Sequence, residues 1–134
     1  MAYGAYISGM AIANSGLGYV HGLAGPMGSL HDIPHGVVCG VLLTEMNKAL
    51  LEEAPQGSLF LTKMERVAKL WGVDTIEGLI DYLEKLTQLA DLPSLSSYGF
   101  TKEELTEIGR RELKRNSPVE LEKERVVEIL HSLL

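Results

Sequence analysis

Three of the four histidines in this 134-residue chain fall between Gly16 and Gly40, in the stretch GLGYVHGLAGPMGSLHDIPHGVVCG. Imidazoles apart, the same stretch holds the only charged side chain of the first 44 residues, Asp32. His21, His31 and His35 thus sit in an otherwise uncharged and largely apolar sequence. A neutral imidazole is the commonest protein metal ligand, and zinc or ferrous iron is held by two or three of them together with a carboxylate. A divalent metal is the first chemistry this grouping suggests. The plain alternative for His21 and His35 is a pair of core imidazoles bonded to backbone carbonyls, and for His31 a solvated loop residue. The spacing Gly16-x-Gly18-x-x-x-Gly22 differs from the GxGxxG of a dinucleotide loop, and no β-branched strand precedes it, so a phosphate-binding reading is set aside.

The elements that must position these residues read as helices throughout. Residues 2–14 are rich in small side chains and uncharged on every face, which predicts a central, covered helix. Gly16 and Gly18 end or bend it. A short helix carrying His21 follows, closed by Pro26 and Gly28, with residues 29–33 as a loop. Pro34 opens the next helix, where its missing N–H costs nothing, and places His35 in the first turn beside unpaired backbone donors. Residues 37–51 are apolar almost all round.

From Glu45 onward 17 acidic and 12 basic residues are spread over amphipathic helices. Phe60, Met64, Val67, Ala68 and Trp71 form one apolar core stripe, ended by Gly72. Asp74 with Glu77 predicts the next helix start, followed by Ile76, Leu79, Ile80, Leu83 and Leu86. Thr101 with Glu104 caps a third helix containing Leu105 and Ile108. A last helix after Pro118 buries Val126, Ile129, Leu130 and Leu133. No alternating strand pattern, repeat or low-complexity segment occurs. The expected fold class is all-α, a bundle of six to eight helices.

Composition narrows the function. With 46% hydrophobic and 22% charged residues the chain can bury a core. A net charge of −6, with no basic cluster beyond the solvated face of Arg110, Arg111, Lys114 and Arg115, gives no footprint for nucleic acid. No signal peptide or membrane span is legible. The single cysteine, Cys39, reads as a small buried apolar residue, which fits a reducing, cytoplasmic compartment.

Gly16-Leu17-Gly18, then His21-Gly22-Leu23-Ala24, then Pro34-His35-Gly36 fourteen residues after His21, resembles the C-terminal helical domain of the iron-containing (group III) alcohol dehydrogenase family, a dehydroquinate synthase-like helical bundle. Leu92-Pro93, Tyr98-Gly99-Phe100 and Asn116-Ser117-Pro118-Val119 resemble that family's tail. The resemblance implies one all-helical, metal-binding domain over residues 1–134, with the family's N-terminal dinucleotide-binding domain absent. It also implies a divalent metal, iron or zinc, held by one aspartate and three histidines, of which His21 and His35 match the last two. The first two, an aspartate and a histidine four residues apart, have no counterpart: no D-x-x-x-H occurs, and neither Asp32, His31 nor His131 matches. Gly25 stands where many members carry a histidine close to the nicotinamide, a departure that bears on proton relay and substrate preference.

The implied activity is NAD(P)-dependent interconversion of an alcohol and an aldehyde, with NAD(P) held mainly by the other domain and this chain inert alone. Apolar surface around Met1, Tyr3, Tyr6, Ile7 and Met10, uncovered without that domain, predicts a homo-oligomer. Two other readings remain open: a helical module from a split gene that completes a site in trans, and a metal-independent small-molecule binding bundle.

Overall fold

The computed structural model describes residues 2–111 and 116–134; Met1, Lys114 and Arg115, which enter the readings above, lie outside the described residues. Among those described, the helices are α1 Ala2–Ser15, α2 Tyr19–Leu30, α3 His35–Glu52, α4 Leu59–Leu70, α5 Ile76–Ala90, α6 Lys102–Arg110 and α7 Lys123–Ser132. A 3-10 turn spans Leu95–Tyr98, and there is no strand among the described residues. The all-α expectation holds.

The core is built where apolar residues recur at helical spacing. α2 contributes Tyr19, Leu23 and Met27, α3 contributes Val38, Leu42 and Met46, and α6 and α7 add Leu105, Ile108 and Leu130, all essentially inaccessible to solvent. α2 packs on α3 and α6, α3 on α5 and α7, α4 on α5, and α6 on α7. α3, apolar almost all round over residues 37–51, is central. The α6–α7 contact depends on Gly109, where an added Cβ would lie 2.8 Å from Val127 Cγ2 and 3.3 Å from the Val127 backbone.

Local signals set most helix ends. The Thr101 hydroxyl accepts from the Glu104 amide at 3.2 Å, and the Glu104 carboxylate accepts from the Thr101 amide at 2.9 Å, a complete capping box. Gly72, at φ +78°, lets its own amide reach Lys69 O and the Val73 amide reach Ala68 O, the paired bonds that close α4. At α5 the cap is Thr75, not Asp74, because the Thr75 hydroxyl accepts from the Gly78 amide at 3.0 Å.

Further expectations are corrected. α2 runs through Pro26 to Leu30. A mid-helix proline costs about 3 kcal/mol, but the same helix buries Leu23 and Met27 completely, each contributing roughly 1.5–3 kcal/mol. Packing outweighs propensity. Trp71 is not core: it caps α4, is 48% exposed, and stands edge-on to Tyr82 with ring centroids 5.2 Å apart, while Leu86 of the next stripe is also exposed.

The largest correction concerns α1, which buries no residue. Its Ala, Gly and Ser positions offer little area to bury, and no described element covers its larger side chains. Tyr3, Tyr6 and Met10 are exposed. The helix is tied at its C-terminal end, where Asn116 donates its backbone amide to Leu17 O at 2.7 Å and its side-chain amide to Ser15 O at 2.6 Å.

Candidate metal centre

α2 and α3 lie side by side and present one histidine each. On α2 the inward face is Tyr19, Leu23 and Met27, so His21 falls on the outward face with Gly25 and Gly28. On α3 the inward face is Val38, Leu42 and Met46, so His35 and Cys39 share a neighbouring face one turn apart. The two imidazoles meet with centroids 5.3 Å apart and planes tilted by 53°. Cys39 Sγ lies 3.4 Å from His35 Nε2, and one donor atom from each of His21, His35 and Cys39 falls within 4.8 Å of the others.

The start of α2 is pinned from far along the chain. The Leu121 amide donates to the Tyr19 hydroxyl at 2.6 Å across 102 positions, and both residues are buried. His21 is two residues further on. His35 is set by the N-terminus of α3, where Pro34, at φ −59°, is the cap and its carbonyl accepts from Val37 and Val38.

Both histidines are exposed. Core imidazoles bonded to backbone carbonyls would be covered, so that alternative does not describe them. Cys39 is half-buried and faces an imidazole, contrary to the buried apolar residue expected, and partial burial pushes its thiol up from the ordinary value. The signal that could have flagged it is the four-residue step from His35 to Cys39, one helical turn.

The other ligand-type residues go elsewhere. His31 Nε2 lies 3.2 Å from both carboxylate oxygens of Glu104, and its ring packs 4.3 Å from that of Phe100. It ties the end of α2 to the capping box of α6 and is not a solvated loop residue. The Thr101 backbone amide, then the His31 imidazole, hold the Glu104 carboxyl below its usual range. His131 Nε2 sits 3.0 Å from Thr106 Oγ1 and 3.1 Å from Lys102 O, joining α7 to α6. Asp32 is exposed. A groove of about 430 Å³ between α3 and α5 is lined by Lys48, Glu52, Asp81 and Glu84, but Lys48 pairs with Glu45 and Glu84, and Glu52 with Arg125. Those paired charges leave little to recognise a ligand.

Residues 1–134 match the profile of the Fe-containing alcohol dehydrogenase family, C-terminal. The chain belongs to this family. Among curated relatives it is 36% identical over 95 residues to 1,3-propanediol dehydrogenase of Klebsiella pneumoniae, covering 69% of this chain and 24% of that protein. It is 30% identical over 137 residues to alcohol dehydrogenase 4 of Saccharomyces cerevisiae, 97% of this chain and 35% of that one. Against lactaldehyde reductase of Escherichia coli the figures are 28% over 146 residues, 98% and 36%. The chain thus spans about a quarter to a third of the length of these dehydrogenases. The fold superposes on a crystal structure of 1,3-propanediol oxidoreductase with a TM-score of 0.81 at 25% identity, covering 99% of this chain and 37% of that one. An alcohol dehydrogenase from Oenococcus oeni gives 0.72 at 26% identity, covering 94% and 35%.

Membership implies a metal and a nicotinamide cofactor at the level of the family. The donor set fits a metal: tetrahedral sites with bonds of about 2.0–2.3 Å place neighbouring donors roughly 3.3–3.6 Å apart, and the donors here are within 4.8 Å, so a small side-chain adjustment closes them. It does not fit a dinucleotide. The Gly16–Gly22 segment joins two helices with no preceding strand, and no described element offers the strand–turn–helix cradle.

Proposed function

We propose that the chain is the metal-binding helical part of an NAD(P)-dependent alcohol dehydrogenase, acting on a small alcohol or aldehyde, and that His21 and His35 are its contribution to the metal site. The observation behind this is the meeting of two accessible imidazoles, one from α2 and one from the first turn of α3. A bound divalent ion, iron or zinc, would act there as a Lewis acid on the oxygen of the substrate.

The chain's own part in this scheme is positional. The Tyr19–Leu121 bond and the burial of Leu23 and Met27 fix the turn carrying His21, while the Pro34 cap fixes His35. An imidazole in its neutral form offers a lone pair without adding charge. Gly25, one turn beyond His21 on the same exposed face, has no heavy atom within 4 Å of an added Cβ, so the position departing from the family's histidine leaves open space beside the pair. Residues holding the nicotinamide, an aspartate and a further histidine belong, in this proposal, to a dinucleotide-binding domain and an earlier helix.

Calorimetric titration of the purified chain with zinc, or anaerobically with ferrous iron, tests the reading. Saturable binding is expected, weakened by about tenfold or more in His21→Ala and in His35→Ala. Binding indifferent to both substitutions would overturn it. The 134 residues assayed with NAD, NADP and primary alcohols are expected to reduce no cofactor, because orientation of the reactants supplies effective molarities of about 10⁵–10⁸ M and no described element here holds the dinucleotide.

The exposed, uncharged α1 supports a second feature, self-association, since apolar patches above a few hundred Å² rarely stay bare. Tyr3, Tyr6, Ile7 and Met10 lie along it. Sedimentation at about 10–100 μM is expected to show more than the monomer mass, and Tyr6→Glu to shift the equilibrium toward monomer. A monomer throughout that range would refute it.

A further inference from the structure

We propose that Cys39 is a third donor at this centre, so that His21, His35 and Cys39 together form a two-nitrogen, one-sulfur site that selects a thiophilic borderline ion such as zinc over magnesium or manganese. The inference rests on the metal-site reading of His21 and His35 and extends it to a residue outside that pair.

The geometry separates Cys39 from a bystander. His35 and Cys39 stand at i and i+4 on α3, where side chains of one face lie over each other. Their ligand atoms are 3.4 Å apart. That separation is close to the edge of the tetrahedron that a bond of about 2.3 Å to sulfur and one of about 2.0–2.1 Å to nitrogen define, roughly 3.5–3.6 Å. The Cys39–His35 pair therefore needs no rearrangement to take an ion; the His21 ring is the arm that closes, from within 4.8 Å. Among the described residues His35 is the side chain that meets the thiol. On coordination the sulfur donates as thiolate, and the displaced proton passes to solvent. Three donors on two helices leave the ion's remaining positions to the aspartate and histidine of the earlier helix in the proposed enzyme, and to water in this chain by itself. Thiolate sulfur is a soft donor, and its presence disfavours the hard oxygen-seeking ions.

Cobalt(II) is the probe, because a thiolate ligand announces itself by an intense charge-transfer band in the near ultraviolet that imidazole and carboxylate ligands do not produce. The reduced full chain is titrated anaerobically with cobalt, then with zinc in competition, alongside Cys39→Ser, His21→Ala and His35→Ala, with far-ultraviolet circular dichroism confirming that each variant is folded. The expected result is a saturable band in the parent chain, bleached by zinc and unaffected by magnesium. In Cys39→Ser the band is absent and affinity falls by about tenfold or more, with the imidazole contribution retained. Saturable binding that depends on His21 and His35 but shows no such band, with Cys39→Ser equal to the parent, would overturn the role of Cys39 and leave the two-histidine site standing. Absence of binding, or binding insensitive to all three substitutions, would remove both.

Discussion

α1 and the α6–α7 pair are opposites in sequence and in structure, and the inversion is instructive. α1 carries no charge, yet buries nothing. α6 and α7 are densely charged, yet Leu105, Ile108 and Leu130 are completely buried between them and their neighbours. A partner for the apolar stripe, not mean hydropathy, separates the two: α6 lays its apolar residues against its neighbours, whereas Tyr3, Tyr6, Ile7 and Met10 of α1 share one face that stays exposed. A helix enters a core when its stripe meets a partner; absence of charge alone does not supply one.

The comparison is sharpest for large side chains. Leu130→Ala should destabilise the chain by about 2–5 kcal/mol, as for fully buried leucines elsewhere, while Ile7→Ala on α1 should stay within about 0.5 kcal/mol. Urea denaturation followed by circular dichroism reads both, and equal losses would break the contrast.

Glycines give the next test. Gly109→Ala drives a methyl into Val127 and should cost about 1–3 kcal/mol, because the near contact includes backbone. Gly9→Ala meets nothing within 4 Å and should instead stabilise α1 by about 0.5–1 kcal/mol. The same denaturation curves decide the signs.

The smallest expected effect lies at the start of α6. The carboxyl of Glu104 is held below its ordinary 4.5 by the Thr101 amide and then by His31. A depressed carboxyl contributes stability that is complete above its unfolded value and is lost as pH falls through the folded one. Unfolding measured from about pH 6 down to about pH 3 should therefore show a loss of stability in the parent chain that Glu104→Gln reduces. Identical pH profiles would exclude the contribution.

What could be read from the sequence was local. The Thr101–Glu104 box, the glycine stop at Gly72, the start of α3 at Pro34 and the buried stripe of α7 are each written within a few adjacent residues. What could not be read depends on partners far away. α2 continues through Pro26 because Leu23 and Met27 have a core to enter, which no local rule reveals. His31 finds Glu104 across 73 positions, so its isolation in a polar loop was misleading. Trp71 looked like core from its place in a stripe, yet the stripe ends where the helix does. At the candidate centre, the spacing of His21 and His35 was legible and their exposure was not. Cys39 was passed over because its valine and leucine neighbours point to the core it does touch, while His35, one turn back, is its neighbour on the other side.

The Tyr19–Leu121 bond also bears on the order in which the molecule assembles. Drawing together positions 102 apart costs on the order of 4 kcal/mol of chain entropy by the logarithmic loop law, several times the net gain of about 0.5–1.5 kcal/mol from one hydrogen bond. The contact cannot lead folding; it must follow contacts that have already shortened the loop, such as α2 with α6 and α6 with α7. The histidine-bearing turn of α2 is accordingly locked only after the C-terminal helix has docked, so a nascent or C-terminally truncated chain would hold that turn loosely however early α2 itself becomes helical.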